Sequence, residues 1–135
     1  MFYDFYWLIM STLKVGTIAN TSGSEGSTPA EINSGRAKAW ITLDGTGTVG
    51  IRESYNISSV ADNGTGSYNA NLSITMSSNN MCVVGSGSQG RTGSDNIYGH
   101  CLKSTTQIGL YSKQNTQGAN EDSDFMFAAV FGDLA

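Results

Sequence analysis

The chain has 135 residues and a formal net charge of −4, with 13% of residues charged and 39% hydrophobic. That length suits one domain with one core, and the acidic balance argues against a nucleic-acid binder, which needs a basic excess to neutralise phosphates. No apolar run nears the roughly 20 residues of a membrane-spanning helix, so no membrane insertion is expected. Ser, Thr, Asn and Gly supply 59 of the 135 residues, which points to a hydroxyl-rich, weakly charged surface with many turns.

Residues 1–10 are aromatic and apolar, yet they lack the basic n-region and small-residue cleavage site of a signal peptide. Such a segment needs cover. Phe2, Tyr3, Phe5, Tyr6, Trp7 and Leu8 are the expected anchors on another protein or a neighbouring copy. Residues 11–35 read as an extended arm with a short helix. Leu13 to Ile18 suggests a first strand, and Ala19 to Ser27 an extended polar linker. Thr28-Pro29-Ala30-Glu31 carries a helix start: Thr28 caps, Pro29 suits the first helical position and Glu31 completes a capping box. Gly35 is expected to end that helix in the left-handed conformation.

From Arg36 to Ala135 strands alternate with turn signals. Ala37, Ala39, Ile41 and Leu43 share one face, Asp44-Gly45 is a turn, and Thr46 to Ile51 returns. Ser54 to Val60 is β-rich and residues 62–66 turn again. Tyr68, Ala70, Leu72, Ile74 and Met76 then alternate with Asn69, Asn71, Ser73 and Thr75, the cleanest half-buried strand pattern in the chain. Met81–Val84, Ile97–Leu102 and Ile108–Tyr111 are further strands, separated by polar loops at 85–96 and 112–124. Phe125–Phe131 is apolar on both faces, which places it centrally in a sandwich or at a subunit interface. The pattern predicts an all-β fold, an antiparallel sandwich of about seven or eight strands.

Chemistry is sparse. His100 is the only histidine, no nucleophile motif surrounds it, and a core or interface role fits it better than a catalytic base. Cys101 falls on the opposite face of the same strand. Cys82 and Cys101 read either as buried free thiols or as a cross-strand disulfide. The glycines at 85, 87, 90 and 93 lack the Lys-Ser/Thr of a phosphate loop. Glu121, Asp122 and Asp124 lack calcium-loop spacing and read as a solvated acidic loop. No enzyme constellation is found, and no metal or cofactor is expected.

The ordered series Gly35-Arg36-Ala37-Lys38-Ala39-Trp40, Asp44-Gly45-Thr46-Gly47-Thr48, Ile51 to Val60 and Asp62 to Tyr68 resembles a module of tail-fibre proteins of marine bacteriophages, especially those of cyanobacteria. The lead-in, Ser11 to Ile18 with Asn20-Thr21-Ser22-Gly23 and Ser27-Thr28-Pro29, resembles the segment that precedes that module. Together they cover about half the chain, residues 12–76. The resemblance implies a virion structural protein, usually a homotrimer, whose distal loops face the host surface. A short tail-fibre or receptor-binding protein is the reading it favours. A head-fibre, decoration or tail-junction protein without a receptor is the alternative, and a lectin-like module the third. Expected partners are further copies of the chain, other virion proteins through residues 1–10, and a host surface glycan or protein. Receptor contact is expected on the long loops through Arg91, Asp95, Asn96, Asn115 and Gln117, with Tyr98 or Tyr111 as an aromatic platform.

Overall fold

The structure is a computed structural model that describes residues 14–88, 96–114 and 118–135. The anchor segment 1–10 lies outside the described residues. The chain divides into two units between Asn33 and Ser34.

In the first unit, β1 (Ile18–Ala19) pairs antiparallel with β2 (Gly26–Ser27). The stretch expected as an extended linker is therefore a small hairpin. Asn20 organises it: its amide N–H donates to Glu25 O, and its Oδ1 accepts from Ser22 Oγ at 2.8 Å. Short Asn and Ser side chains bond nearby backbone readily and favour such turns. Helix α1 spans Pro29–Gly35. Its capping box forms as the sequence predicts: Thr28 N donates to Glu31 Oε2 at 2.7 Å, and Glu31 N donates to Thr28 Oγ1 at 3.2 Å. The Thr28 N–H, with Thr28 Oγ1 donating to the same oxygen at 2.9 Å, holds the Glu31 carboxyl below its ordinary pKa. Gly35, in contrast, is not among the residues with positive φ, so the helix ends without the expected left-handed residue.

The second unit is a sandwich of two four-stranded antiparallel sheets. Its strands are β3 (Ala39–Asp44), β4 (Gly50–Tyr55), β5 (Ile57–Asp62), β6 (Ser67–Leu72), β7 (Cys82–Ser88), β8 (Asn96–Ser104), β9 (Gln107–Gln114) and β10 (Phe125–Phe131). The first sheet has the order β4-β3-β10-β7, the second β5-β6-β9-β8. The all-β expectation holds. The core alternates with period two, as a half-buried sheet requires. Ala39, Ile41 and Leu43 of β3 and Met126, Ala128 and Val130 of β10 meet Tyr68, Ala70 and Leu72 of β6 and Ile108 and Leu110 of β9.

Several boundaries differ from the sequence reading. The strand expected over 68–76 stops at Leu72; Met76 instead forms an isolated bridge to Leu134 and is buried. The β-rich stretch 54–60 is cut at Asn56, whose φ is 56°. β7 runs through Gly85–Ser88, residues expected as loop, and pairs there with Phe125–Ala128. Two close approaches explain it. A Cβ on Gly85 would lie 2.1 Å from Phe127 O and 2.6 Å from His100 Nε2, and one on Gly87 would lie 2.5 Å from the Tyr98 ring. The glycines are there because side chains of β8 occupy their space, not because the chain turns.

Asn56 carries the chain from the first sheet to the second. Its Nδ2 donates to Lys38 O at 2.7 Å, and its carbonyl accepts from Ser73 N at 3.0 Å. Left-handed backbone costs an ordinary L-residue about 1–2 kcal/mol, and a lost hydrogen bond about 1 kcal/mol more. Asn56→Ala should therefore lower the unfolding free energy by about 2 kcal/mol or more. Asn56→Gly should cost about half of that, because glycine adopts the conformation freely. Urea denaturation of the two variants beside the parent protein checks the order.

Candidate functional site

The outward faces of the two sheets are chemically unlike, and together they form the candidate site. On the first sheet β10 is central, so its outward residues run down the middle of the face. Register places Tyr55, Trp40, Ala129 and Val84 in one cross-strand row, and Glu53, Thr42, Phe127 and Ser86 in the next. The rows alternate in size. Small Ala129 lies between Trp40 and Val84, and large Phe127 between Thr42 and Ser86. The result is a knob beside a notch, with a hollow of about 440 Å³ lined by Trp40, Thr42, Val84, Ser86, Phe127 and Ala129. Val84 and Tyr55 are 47% exposed and Phe127 43% exposed, so large apolar side chains stand open to solvent. Soluble monomers seldom leave a contiguous patch of this kind uncovered.

The rim of this face is polar. Arg52 Nη2 donates to Asp44 Oδ2 at 2.5 Å, and Arg52 Nε donates to Asp124 O at 3.1 Å. The same guanidinium sits 5.8 Å from the centroid of the Phe125 ring, within cation–π range. Thr46 Oγ1 donates to Asp44 Oδ1 at 2.6 Å. That bond, with a smaller contribution from Arg52, holds the Asp44 carboxyl below the ordinary range. An apolar centre with a charged rim is the layout of a protein–protein interface.

The second sheet presents amides and hydroxyls instead. Ser59, Asn71 and Gln107 form one row and Ala61, Asn69 and Gly109 the next. Gln107 Nε2 donates to Asn71 Oδ1 at 2.7 Å, and Asn71 Nδ2 donates to Ser59 Oγ at 2.9 Å. Asn69 Oδ1 is buried and has no hydrogen-bond partner.

The expected contact residues are described only in part. Arg91, Asp95, Asn115 and Gln117 lie outside the described residues, and Asn96 is placed by its backbone pairing with Gln114. Tyr98 is not an exposed platform: it turns inward, packs on Gly87 and the core, and its hydroxyl lies 3.1 Å from Ser123 Oγ. Tyr111 does face outward on the second sheet, half-buried, with the Lys103 ammonium 5.3 Å from its ring centroid. Cys82 is a free thiol and exposed, which removes both the buried-thiol reading and the disulfide for that residue. Trp40, Val84 and Phe127 were readable as apolar strand residues, but nothing in the sequence assigns them to an outward face.

The acidic loop has a structural role that its composition hides. Tyr68 donates to Asp122 Oδ1 at 2.5 Å, with Gly45 O at 3.0 Å as its second acceptor. Gly66 N also donates to Asp122 Oδ1, at 2.7 Å. Asp122 is thus a clasp between two turns, not a solvated charge. Burial, then Asp122, pushes the Tyr68 hydroxyl far above its ordinary pKa, so it remains a donor. Gly66 has φ +64°, and a Cβ there would lie 2.3 Å from Ser112 O. Only glycine suits that position.

Comparison with family models, with curated proteins and with solved structures yields no match.

His100 points between the sheets, its Nε2 buried and without a partner. Burial lowers its pKa below the ordinary imidazole value, only partly offset by the nearby Phe127 backbone. The unfolded chain therefore takes up a proton at a pH where the folded chain does not. Stability is full above the unfolded pKa and falls as pH drops through it toward the lower folded value. Urea midpoints measured between pH 7.5 and 5.5 should decline, and His100→Gln should flatten that decline. Equal slopes in both proteins would locate the pH dependence elsewhere.

Proposed function

We propose that the chain is a structural protein of a bacteriophage virion, a short tail-fibre or receptor-binding protein that works as a homotrimer. The observation that carries this reading is the contrast between the two outer sheet faces. One is apolar, relieved by a knob and a notch, and bordered on the β4 side by an ion pair. The other is polar and suited to water or a ligand. A second copy of the chain is the natural occupant of the apolar face, because Phe127 of one copy matches the Ala129 notch of another in size and chemistry. The ordered motifs over residues 12–76 that resemble marine phage fibre modules supply the virion context. A composition with few charges and many hydroxyls suits a component packed among neighbours. The same faces also serve a head-decoration or tail-junction protein, and position on the particle separates the two. A density map of intact virions makes that assignment.

The assembly reading has a direct test. Light scattering of the full chain should give about three chain masses at micromolar concentration, the mass of a closed three-fold ring. Phe127→Glu and Val84→Glu place a charge where it would be desolvated between copies. Both side chains are nearly half exposed in the single chain, so the variants should keep the far-ultraviolet spectrum of the parent and become monomers. A monomeric parent protein would overturn the proposal.

Residues 1–10 are proposed to attach the assembled protein to another virion component through Phe2, Tyr3, Phe5, Tyr6, Trp7 and Leu8. Deleting them should leave the sandwich's thermal transition in place and abolish incorporation into particles. Normal incorporation of the shortened protein would refute this role.

A further inference from the structure

The polar outer face of the second sheet carries two kinds of recognition chemistry at once. The first is neutral. Asn71 and Gln107 are locked by the bonds that run from Gln107 Nε2 to Asn71 and from Asn71 to Ser59. A planar amide has four hydrogen-bonding positions, and the ladder consumes two of those on Asn71. The second is charge. The chain as a whole carries −4, yet Lys103 and Lys113 both lie on this side of β8 and β9, and among the described residues no Asp or Glu shares the outward rows of Ser59, Ala61, Asn69, Asn71 and Gln107. Lys113 is exposed, and it follows Tyr111 by two residues, so the two share a face. The Lys103 ammonium rests 5.3 Å from the Tyr111 ring centroid. That contact fixes its position on the face instead of leaving it on a freely moving stem.

We infer that this face is a binding site for an acidic oligosaccharide, one that carries an occasional carboxylated sugar among neutral ones. A simple anion would use the lysines and ignore the amides. A neutral sugar would use the amides and ignore the lysines. A sugar chain with a uronic or sialic acid residue uses both: its hydroxyls exchange hydrogen bonds with Asn71 and Gln107, while its carboxylate pairs with Lys103 and Lys113. A densely charged polyanion is disfavoured by the net negative charge of the chain. The proposal rests on the receptor-binding part of the proposed function, and it names the substrate class that part would take.

The test uses the full chain on an array of matched acidic and neutral oligosaccharides, followed by nuclear magnetic resonance titration of the best acidic member. Binding should favour acidic members over their neutral partners and weaken at 0.5 M NaCl, a condition chosen to screen charge to roughly 4 Å. Lys103→Gln combined with Lys113→Gln alters exposed side chains and should weaken binding by about fivefold or more without moving the thermal transition. Inorganic phosphate should displace the glycan poorly. No acidic glycan bound, equal binding of the neutral partners, equal displacement by phosphate, or unchanged affinity in the lysine variant would each overturn the site. Light scattering on the same sample keeps the two proposals apart. A trimer that binds no glycan defeats this inference and leaves the assembly reading standing, whereas a monomer that binds the acidic glycan does the reverse.

Discussion

Everything in the sandwich depends on the insertion of the last strand, β10, between the first strand of the second unit and β7. Met126–Val130 pair with β3 and Phe125–Phe131 pair with β7. Without that insertion the first sheet falls into two separate pieces, since β3 and β7 do not otherwise meet. The strand is apolar on both faces, and each face has its own consequence. Inward, Met126, Ala128 and Val130 complete the core, where a fully buried large side chain contributes about 1.5–3 kcal/mol. Outward, Phe125, Phe127 and Phe131 remain in a position that a solvated single chain does not favour.

The two sheets are held together in two places by different means. At the β7–β8 edge the glycines of β7 let Tyr98 and His100 fill the gap between sheets. Their rings replace the side chains that β7 lacks, at the cost of burying an imidazole nitrogen without a partner. At the turns, Tyr68 reaches Asp122 and Gly45, and Asp122 also accepts from Gly66. This second arrangement is fully hydrogen-bonded, so burial strengthens it. The first closes mainly by shape, with one hydroxyl contact from Tyr98 to Ser123, and the second by directed polar contacts. The acid sensitivity expected of the fold belongs to the first.

A division of labour between outer faces follows from the same topology. β10 and β3 occupy the centre of one sheet and bring Phe127, Trp40 and Ala129 together there. β6 and β9 occupy the centre of the other and bring Asn69, Asn71, Gln107 and Tyr111 together. The proposed roles, self-assembly on the first face and contact with an acidic glycan on the second, place the two functions back to back across one core. Each can then change its surface residues without disturbing the other, because the buried layer between them is shared and the outward layers are not.

The amino-acid sequence by itself determined the all-β class, the capping box at Thr28 and Glu31, which residues of β3 and of β6 share a face, and the two-sided apolar character of Phe125–Phe131. These are local properties: period, propensity and short-range hydrogen bonds act within a few residues. Only the tertiary structure decided that Gly85–Ser88 is strand, that Tyr98 faces inward while Tyr111 faces outward, and that Asp122 is a clasp. It also decided that Asn56 ends one strand and begins another. Each of these turns on a contact with a residue far along the chain: Gly85 with His100 and Phe127, Tyr98 with Ser123, Asp122 with Tyr68, Asn56 with Lys38 and Ser73. A glycine reads as a turn until a neighbouring strand is known to occupy the space of its missing side chain. An alternating strand shows which residues share a face but not which face meets the core, because that depends on the sheet packed against it.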